Sequence, residues 1–144
     1  MSVPNTILNI VVFGLGRAGK IHYKNAKQSH FFNVKYVVDV LDKSDISDYI
    51  DESIKFINFN NKNELEEMMN DKTIDAIIVS SPTDTHYDII KLGLDHDKHV
   101  FVEKPIVNNY EQIKESFMYA EERKLKLFVG YNRRYDPIIS GIKE

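Results

Sequence analysis

Short apolar runs rich in β-branched residues alternate along this chain with longer stretches whose apolar positions recur at helical spacing. Six runs predict strands: Ile7 to Gly14, Asn33 to Val40, Ile54 to Phe59, Asp75 to Ser81, His99 to Pro105 and Lys126 to Tyr131. Several are apolar at nearly every position rather than alternating, as strands are when both faces of their sheet are covered. Helical spacing predicts helices over Ala18 to Ser29, Lys62 to Met69, Asp84 to Asp95 and Tyr110 to Arg123, with a short one near Ser44 to Ile50. Asn63, with Glu66 three residues on, resembles a capping box for the helix over Lys62 to Met69. This rhythm specifies an α/β fold: a doubly wound, parallel, six-stranded sheet in the order 3-2-1-4-5-6. No internal repeat or linker interrupts it, so residues 1–144 read as one domain.

Composition narrows the function. The 144 residues suffice for a buried core, and 42% hydrophobic with 28% charged residues is an ordinary globular balance. A net charge of -3, with the basic residues scattered, argues against nucleic acid or an anionic membrane as partner. Cysteine is absent, which removes disulfides, Cys-zinc sites and thiol catalysis, and no metal site is predicted. No stretch approaches the ~20 apolar residues of a membrane helix. The apolar run from Ile7 to Phe13 follows no basic residue and leads into glycines rather than a cleavage site, so the expected location is cytoplasmic.

The first predicted strand runs into Gly14-Leu15-Gly16-Arg17-Ala18-Gly19. In a strand-turn-helix with this spacing, the first glycine permits the tight turn and the second lets backbone approach a pyrophosphate. The third allows close packing of helix on strand. N–H groups at the helix start then hold the phosphates, and Arg17 adds a charge. Alone the pattern is also compatible with a plain structural turn. Asp39, 20 residues after Gly19 at the end of the second strand, strengthens the nucleotide reading. A carboxylate there accepts hydrogen bonds from the adenosine ribose and repels a 2′-phosphate, which favours NAD over NADP. Lys43 is the neighbour able to reverse that preference, and a solvated strand end is the plain alternative for Asp39.

Two more polar constellations fall at carboxyl ends of predicted strands, the edge where open parallel sheets bind ligands. They are SSPTDTHYDI, beginning at Ser80, and HVFVEKPI, beginning at His99. Together with the glycine turn and GYNRRYDP from Gly130, they resemble the glucose-fructose oxidoreductase, inositol dehydrogenase and MocA (Gfo/Idh/MocA) family. The likeness covers essentially all of the chain but only the family's amino-terminal, NAD-binding Rossmann domain. It implies that Lys104 of the EKP triplet assists proton transfer at the substrate carbon that exchanges hydride with the nicotinamide. Glu103 is implied near the nicotinamide ribose. Ser80, Ser81, Pro82 and Thr83 are implied along the cofactor, with Thr83 a hydrogen-bond donor. His86, in the same loop, is placed in the cofactor set, and packing or capping is the stronger reading against an acid-base role. Asn132 is placed in the cofactor set, and Arg133 and Arg134 either at the site's mouth or in an ion pair. Pro105 disfavours the helical region for Lys104 and is a candidate for a cis bond.

The chain departs from the family pattern in two places. Asp97 stands where relatives carry glycine, and aspartate is among the residues that best tolerate the left-handed region. The chain also stops at Glu144, with residues 132–144 the start of a passage to a substrate domain whose remainder is absent. Three readings stay open: an NAD-dependent oxidoreductase acting on a polyol, inositol or (nucleotide-)sugar hydroxyl with its second wall from another chain; a non-catalytic NAD(H)-binding module; and a truncated remnant. The resemblance implies that the residues around Ile106 to Tyr110 and the segment from Tyr135 onward face the second domain in relatives, so exposed apolar area is expected here, which self-association or a partner chain could cover.

Overall fold

The computed structural model describes residues 6–107 and 109–130. Its strands are β1 (Leu8–Phe13), β2 (Phe32–Asp39), β3 (Lys55–Asn58), β4 (Ala76–Val79), β5 (His99–Glu103) and β6 (Leu127–Gly130). All pair in parallel, in the order β3-β2-β1-β4-β5-β6. The helices are α1 (Arg17–Gln28), α2 (Lys43–Ile46), α3 (Lys62–Met69), α4 (His86–Asp95) and α5 (Tyr110–Glu122), with a 3-10 turn over Thr83–Thr85. The fold expected from the alternating runs is the one observed. The order reverses at β1 and β4, and that reversal opens a crevice at their carboxyl ends.

Alternation along β1 sorts the core into two layers. Val11 and Phe13 pack with Leu65 and Met69 of α3 and Ile90 and Leu94 of α4. Ile10 and Val12 face Tyr23 and Ala26 of α1 and Ile46 of α2 on the other side. Both faces of the central strand are therefore dry, which is why its sequence is apolar throughout.

Helix ends follow local chemistry, with one correction. Asn61, not Asn63, caps α3, accepting the Glu64 N–H at 3.2 Å. Asn63 already lies inside the first turn, where a side chain cannot reach an N–H two or three residues ahead from a non-helical backbone. Asn109 caps α5 in the same way through the Gln112 N–H. Asp97 adopts φ 62°, the left-handed conformation expected of it, and Lys104-Pro105 is a cis peptide.

Beneath the sheet, at its amino end, Lys98 is buried and donates to the carbonyls of Asp71 (2.6 Å) and Ile74 (3.0 Å). Burial holds its ammonium pKa below the ordinary lysine value. The expectation of exposed apolar area after β5 holds only in part. Ile106 and Val107 fold into the core, while Tyr110 stands 73% exposed.

Candidate nucleotide-binding site

The glycine turn is built by three different steric demands. Gly14 has φ 89°, and a Cβ on it would lie 2.6 Å from the Ser81 nitrogen, so the turn requires glycine on both counts. A Cβ on Gly19 would fall 1.8 Å from the Gly14 carbonyl oxygen, so α1 leaves the turn in direct backbone contact with it. A Cβ on Gly16 would meet nothing within 4 Å. Two of the glycines are therefore demanded by the protein's own packing, and the middle one borders open space.

That space lies at the start of α1. The first bond within the helix runs from the Lys20 N–H to the Gly16 carbonyl at 2.9 Å, so the N–H groups of Arg17, Ala18 and Gly19 have no acceptor inside it. Gly16 at the N-cap brings no side-chain acceptor, and the first turn carries no acidic residue. Three donors and a positive dipole end thus lie at the helix start, next to Gly16, which lines the crevice. Arg17 is exposed beside them.

Asp39 ends β2 on one side of the turn. Its Oδ2 accepts the Leu15 N–H at 2.7 Å and its Oδ1 the Leu41 N–H at 3.0 Å. The carboxylate therefore braces the turn while retaining capacity for further donors. On the other side, the Ser80 hydroxyl lies 3.1 Å from the Phe13 carbonyl and 3.0 Å from that of Gly14, tying β4 to the turn. Ser81 hydrogen-bonds through its hydroxyl to that of Thr85 at 2.7 Å.

The crevice between these walls has a volume of about 460 Å³. Of the candidate residues, Gly14, Leu15, Gly16, Asp39, Ser80, Ser81 and Pro82 border it. It also has apolar walls outside that set: Val40, Leu41, Phe59 and Ile89. Val40 and Leu41 are 61% and 49% exposed and give this end of the crevice an apolar wall. Thr85 rather than Thr83 lines the crevice, because the 3-10 turn over Thr83–Thr85 brings Thr85 back beside Ser81.

His86 does not line it. The ring is buried, with Nε2 facing the Ser81 carbonyl at 2.8 Å and Nδ1 facing the carbonyls of Pro105 and Ile106 at 3.0 Å each. It joins the loop after β4 to the loop after β5 from behind, as the packing alternative anticipated. Glu103 and Lys104 stand at the carboxyl end of β5; Lys104 is exposed, while Glu103 is half-buried and paired with His22 of α1. His22 carries no motif of its own and escaped the sequence reading. Asn132, Arg133 and Arg134 lie outside the described residues.

These groups fit a dinucleotide: free N–H donors for phosphates over an unobstructed glycine, a carboxylate for ribose hydroxyls, and an apolar slot beyond it. Among the described residues no cluster of His, Asp and Glu has the makings of a metal site. Among the described residues no helix is long and apolar enough to cross a membrane.

Comparison with known proteins agrees with the geometry. Residues 8–131 match the family model for Gfo/Idh/MocA, described as an oxidoreductase family with an NAD-binding Rossmann fold. The chain is 32% identical over 133 residues to the uncharacterized oxidoreductase YrbE of Bacillus subtilis, covering 92% of this chain and 38% of that one. It is 30% identical over 138 residues to the myo-inositol 2-dehydrogenase of Thermotoga maritima, covering 95% and 40%. Among solved structures, the scyllo-inositol dehydrogenase of Lactobacillus casei with bound NAD(H) and scyllo-inositol superposes with a TM-score of 0.81 at 28% identity. The match covers 96% of this chain and 40% of that enzyme. The chain thus spans about two fifths of the length of these relatives. With the glycine turn, the strand order and the matched span in agreement, the chain belongs to the Gfo/Idh/MocA oxidoreductase family and comprises its NAD-binding Rossmann domain.

Proposed function

We propose that this chain holds NAD(H) and forms the nucleotide half of an oxidoreductase acting on a hydroxyl-bearing carbon of a polyol, inositol or (nucleotide-)sugar. The observation that carries the reading is the open space over Gly16, which precedes the unpaired N–H groups of α1 and shares the crevice with Asp39. Relatives named as inositol dehydrogenases support the substrate class.

Each group has its part. The N–H groups of Arg17, Ala18 and Gly19 bind the pyrophosphate, with the Arg17 guanidinium as a second anchor. Asp39 accepts the adenosine ribose hydroxyls and disfavours the 2′-phosphate of NADP, while Val40, Leu41 and Phe59 enclose the adenine. Ser81, Pro82 and Thr85 border the path toward β5. When bound, the nicotinamide supplies the hydride acceptor or donor. Lys104, at the end of β5, takes or returns the hydroxyl proton of the substrate at its Nζ.

Turnover needs substrate held and water excluded on the side of Lys104 that faces solvent here. The second wall comes from a further domain or a second chain, including another copy of this one. The test pairs cofactor binding with turnover. Lys104→Met is expected to keep NADH affinity within about twofold and to abolish oxidation of inositols and polyols in any active assembly. Complete loss of NADH binding in that variant overturns the assignment of Lys104. Turnover by a strictly monomeric chain overturns the need for a second wall.

A further inference from the structure

His22 lies in the second turn of α1, the helix whose first turn faces the crevice, and its Nε2 pairs with Oε1 of Glu103, the last residue of β5. The two side chains are 21% and 13% exposed, so each is largely withdrawn from water. Their surroundings leave little freedom. The His22 ring meets Phe101 edge-on, with centroids 5.2 Å apart and planes at 68°. Phe101 in turn stacks on Phe128 at 5.6 Å and 18°. Gly130 makes room for both partners of β5, since a Cβ there would come within 2.8 Å of the Phe101 ring and 3.4 Å of Glu103 Oε1.

A half-buried carboxylate costs free energy unless donors satisfy it, and this one has its donor on α1 rather than on its own strand. The imidazole N–H takes one acceptor site of a group that has about four. Glu103 itself ends β5 at the carboxyl edge of the sheet, the edge where open parallel sheets bind ligands. The strand order sets the distance. Asp39 ends β2, one strand from β1, and Glu103 ends β5, two strands from β1 on the opposite side. At the usual strand spacing β5 is roughly 10 Å from β1. A ligand with its pyrophosphate on α1 and one ribose at Asp39 therefore extends its other ribose toward β5.

We propose that His22 is a positioning residue that fixes the Glu103 carboxylate to receive the hydroxyls of the second, pyrophosphate-linked ribose. This rests on the dinucleotide reading above and adds to it that α1 serves both halves of the ligand: its first turn by binding phosphate, its second by orienting an acid two strands away. ADP and ADP-ribose separate the two halves, because they differ by the second ribose alone.

Isothermal titration of both ligands into the full chain and its variants is the test. His22→Leu, which keeps bulk against Phe101 but has no donor, is expected to weaken ADP-ribose by about tenfold and leave ADP unchanged. His22→Gln, which retains an N–H at similar reach, is expected to bind ADP-ribose within about threefold of the native chain. Glu103→Ala should match His22→Leu, and the double variant should lose no more than either single one. Equal weakening of ADP and ADP-ribose by His22→Leu would reduce the pair to packing of α1 and overturn the proposal, as would full additivity in the double variant. If His22→Leu fails to fold, Glu103→Ala against His22→Gln decides by the same criteria. A native chain that binds ADP-ribose while both variants leave it unchanged overturns the role of His22 alone. A native chain that binds neither ligand overturns the dinucleotide reading with it.

Discussion

The carboxylate of Asp39 accepts the backbone N–H of Leu15 at 2.7 Å, so the residue that ends β2 also holds the glycine turn after β1. In the proposed complex its two tasks, bracing the turn and meeting the ribose, draw on the same negative charge. Asp39→Asn is therefore expected to weaken NADH by about tenfold to a hundredfold, the worth of a charge-assisted hydrogen bond. NADPH should lose less, because repulsion of its 2′-phosphate is relieved. Titration of both nucleotides against both proteins checks it, and equal losses for the two would contradict the assignment.

The three glycines separate folding from binding. Gly19→Ala places a Cβ 1.8 Å from the Gly14 oxygen, so α1 must shift, at a cost of about 1 to 3 kcal/mol or more in urea unfolding. Gly16→Ala meets nothing within 4 Å and keeps an ordinary backbone at φ -72°. Its unfolding midpoint is expected to stay native, while NADH affinity falls about tenfold as backbone approach to the phosphates is blocked. An unchanged affinity in Gly16→Ala would mean that no ligand comes close there.

Acid stability has a local origin away from the crevice. The Thr73 hydroxyl (2.6 Å), the Thr73 N–H (2.9 Å) and the Lys35 ammonium (3.2 Å) hold the Asp71 carboxyl at about 2, below its ordinary 3.8. A depressed folded-state pKa stabilises the fold above the unfolded value, and that stabilisation is lost as pH falls from about 3.8 to about 2. Thr73→Val should raise the Asp71 pKa and shrink this contribution, moving the acid-unfolding midpoint, followed by circular dichroism, to higher pH. An unmoved midpoint would show that Asp71 does not set acid stability.

Lys98→Met tests the buried ammonium beneath the sheet. The substitution leaves the carbonyls of Asp71 and Ile74 without their donor, and is expected to cost about 1 to 3 kcal/mol in urea unfolding. A neutral or stabilised variant would mean that the charge's own burial cost outweighs its two hydrogen bonds.

The parts of this molecule legible in the sequence are those governed by near neighbours along the chain. β1 reads as a buried strand because both of its faces are covered, and the spacing of Gly14, Gly16 and Gly19 marks the turn between β1 and α1. Asp97 was legible for the same reason, a helix end calling for a left-handed residue. The α3 cap was misplaced from Asn61 to Asn63 because two asparagines flank Lys62 and composition does not say which keeps a non-helical backbone. Thr85 rather than Thr83 reaches the crevice because a 3-10 turn, not an α-helix, opens that segment. The His22–Glu103 pair joins residues 81 positions apart, and nothing in either local stretch announces the other.

The central claim is that these residues by themselves hold a nicotinamide dinucleotide, and titrating the purified chain into NADH while following nicotinamide fluorescence tests it most directly. A saturable change with one site per chain, displaced by NAD⁺ and by ADP-ribose, is the predicted result. No saturable change, with NAD⁺ also silent by calorimetry, would contradict it.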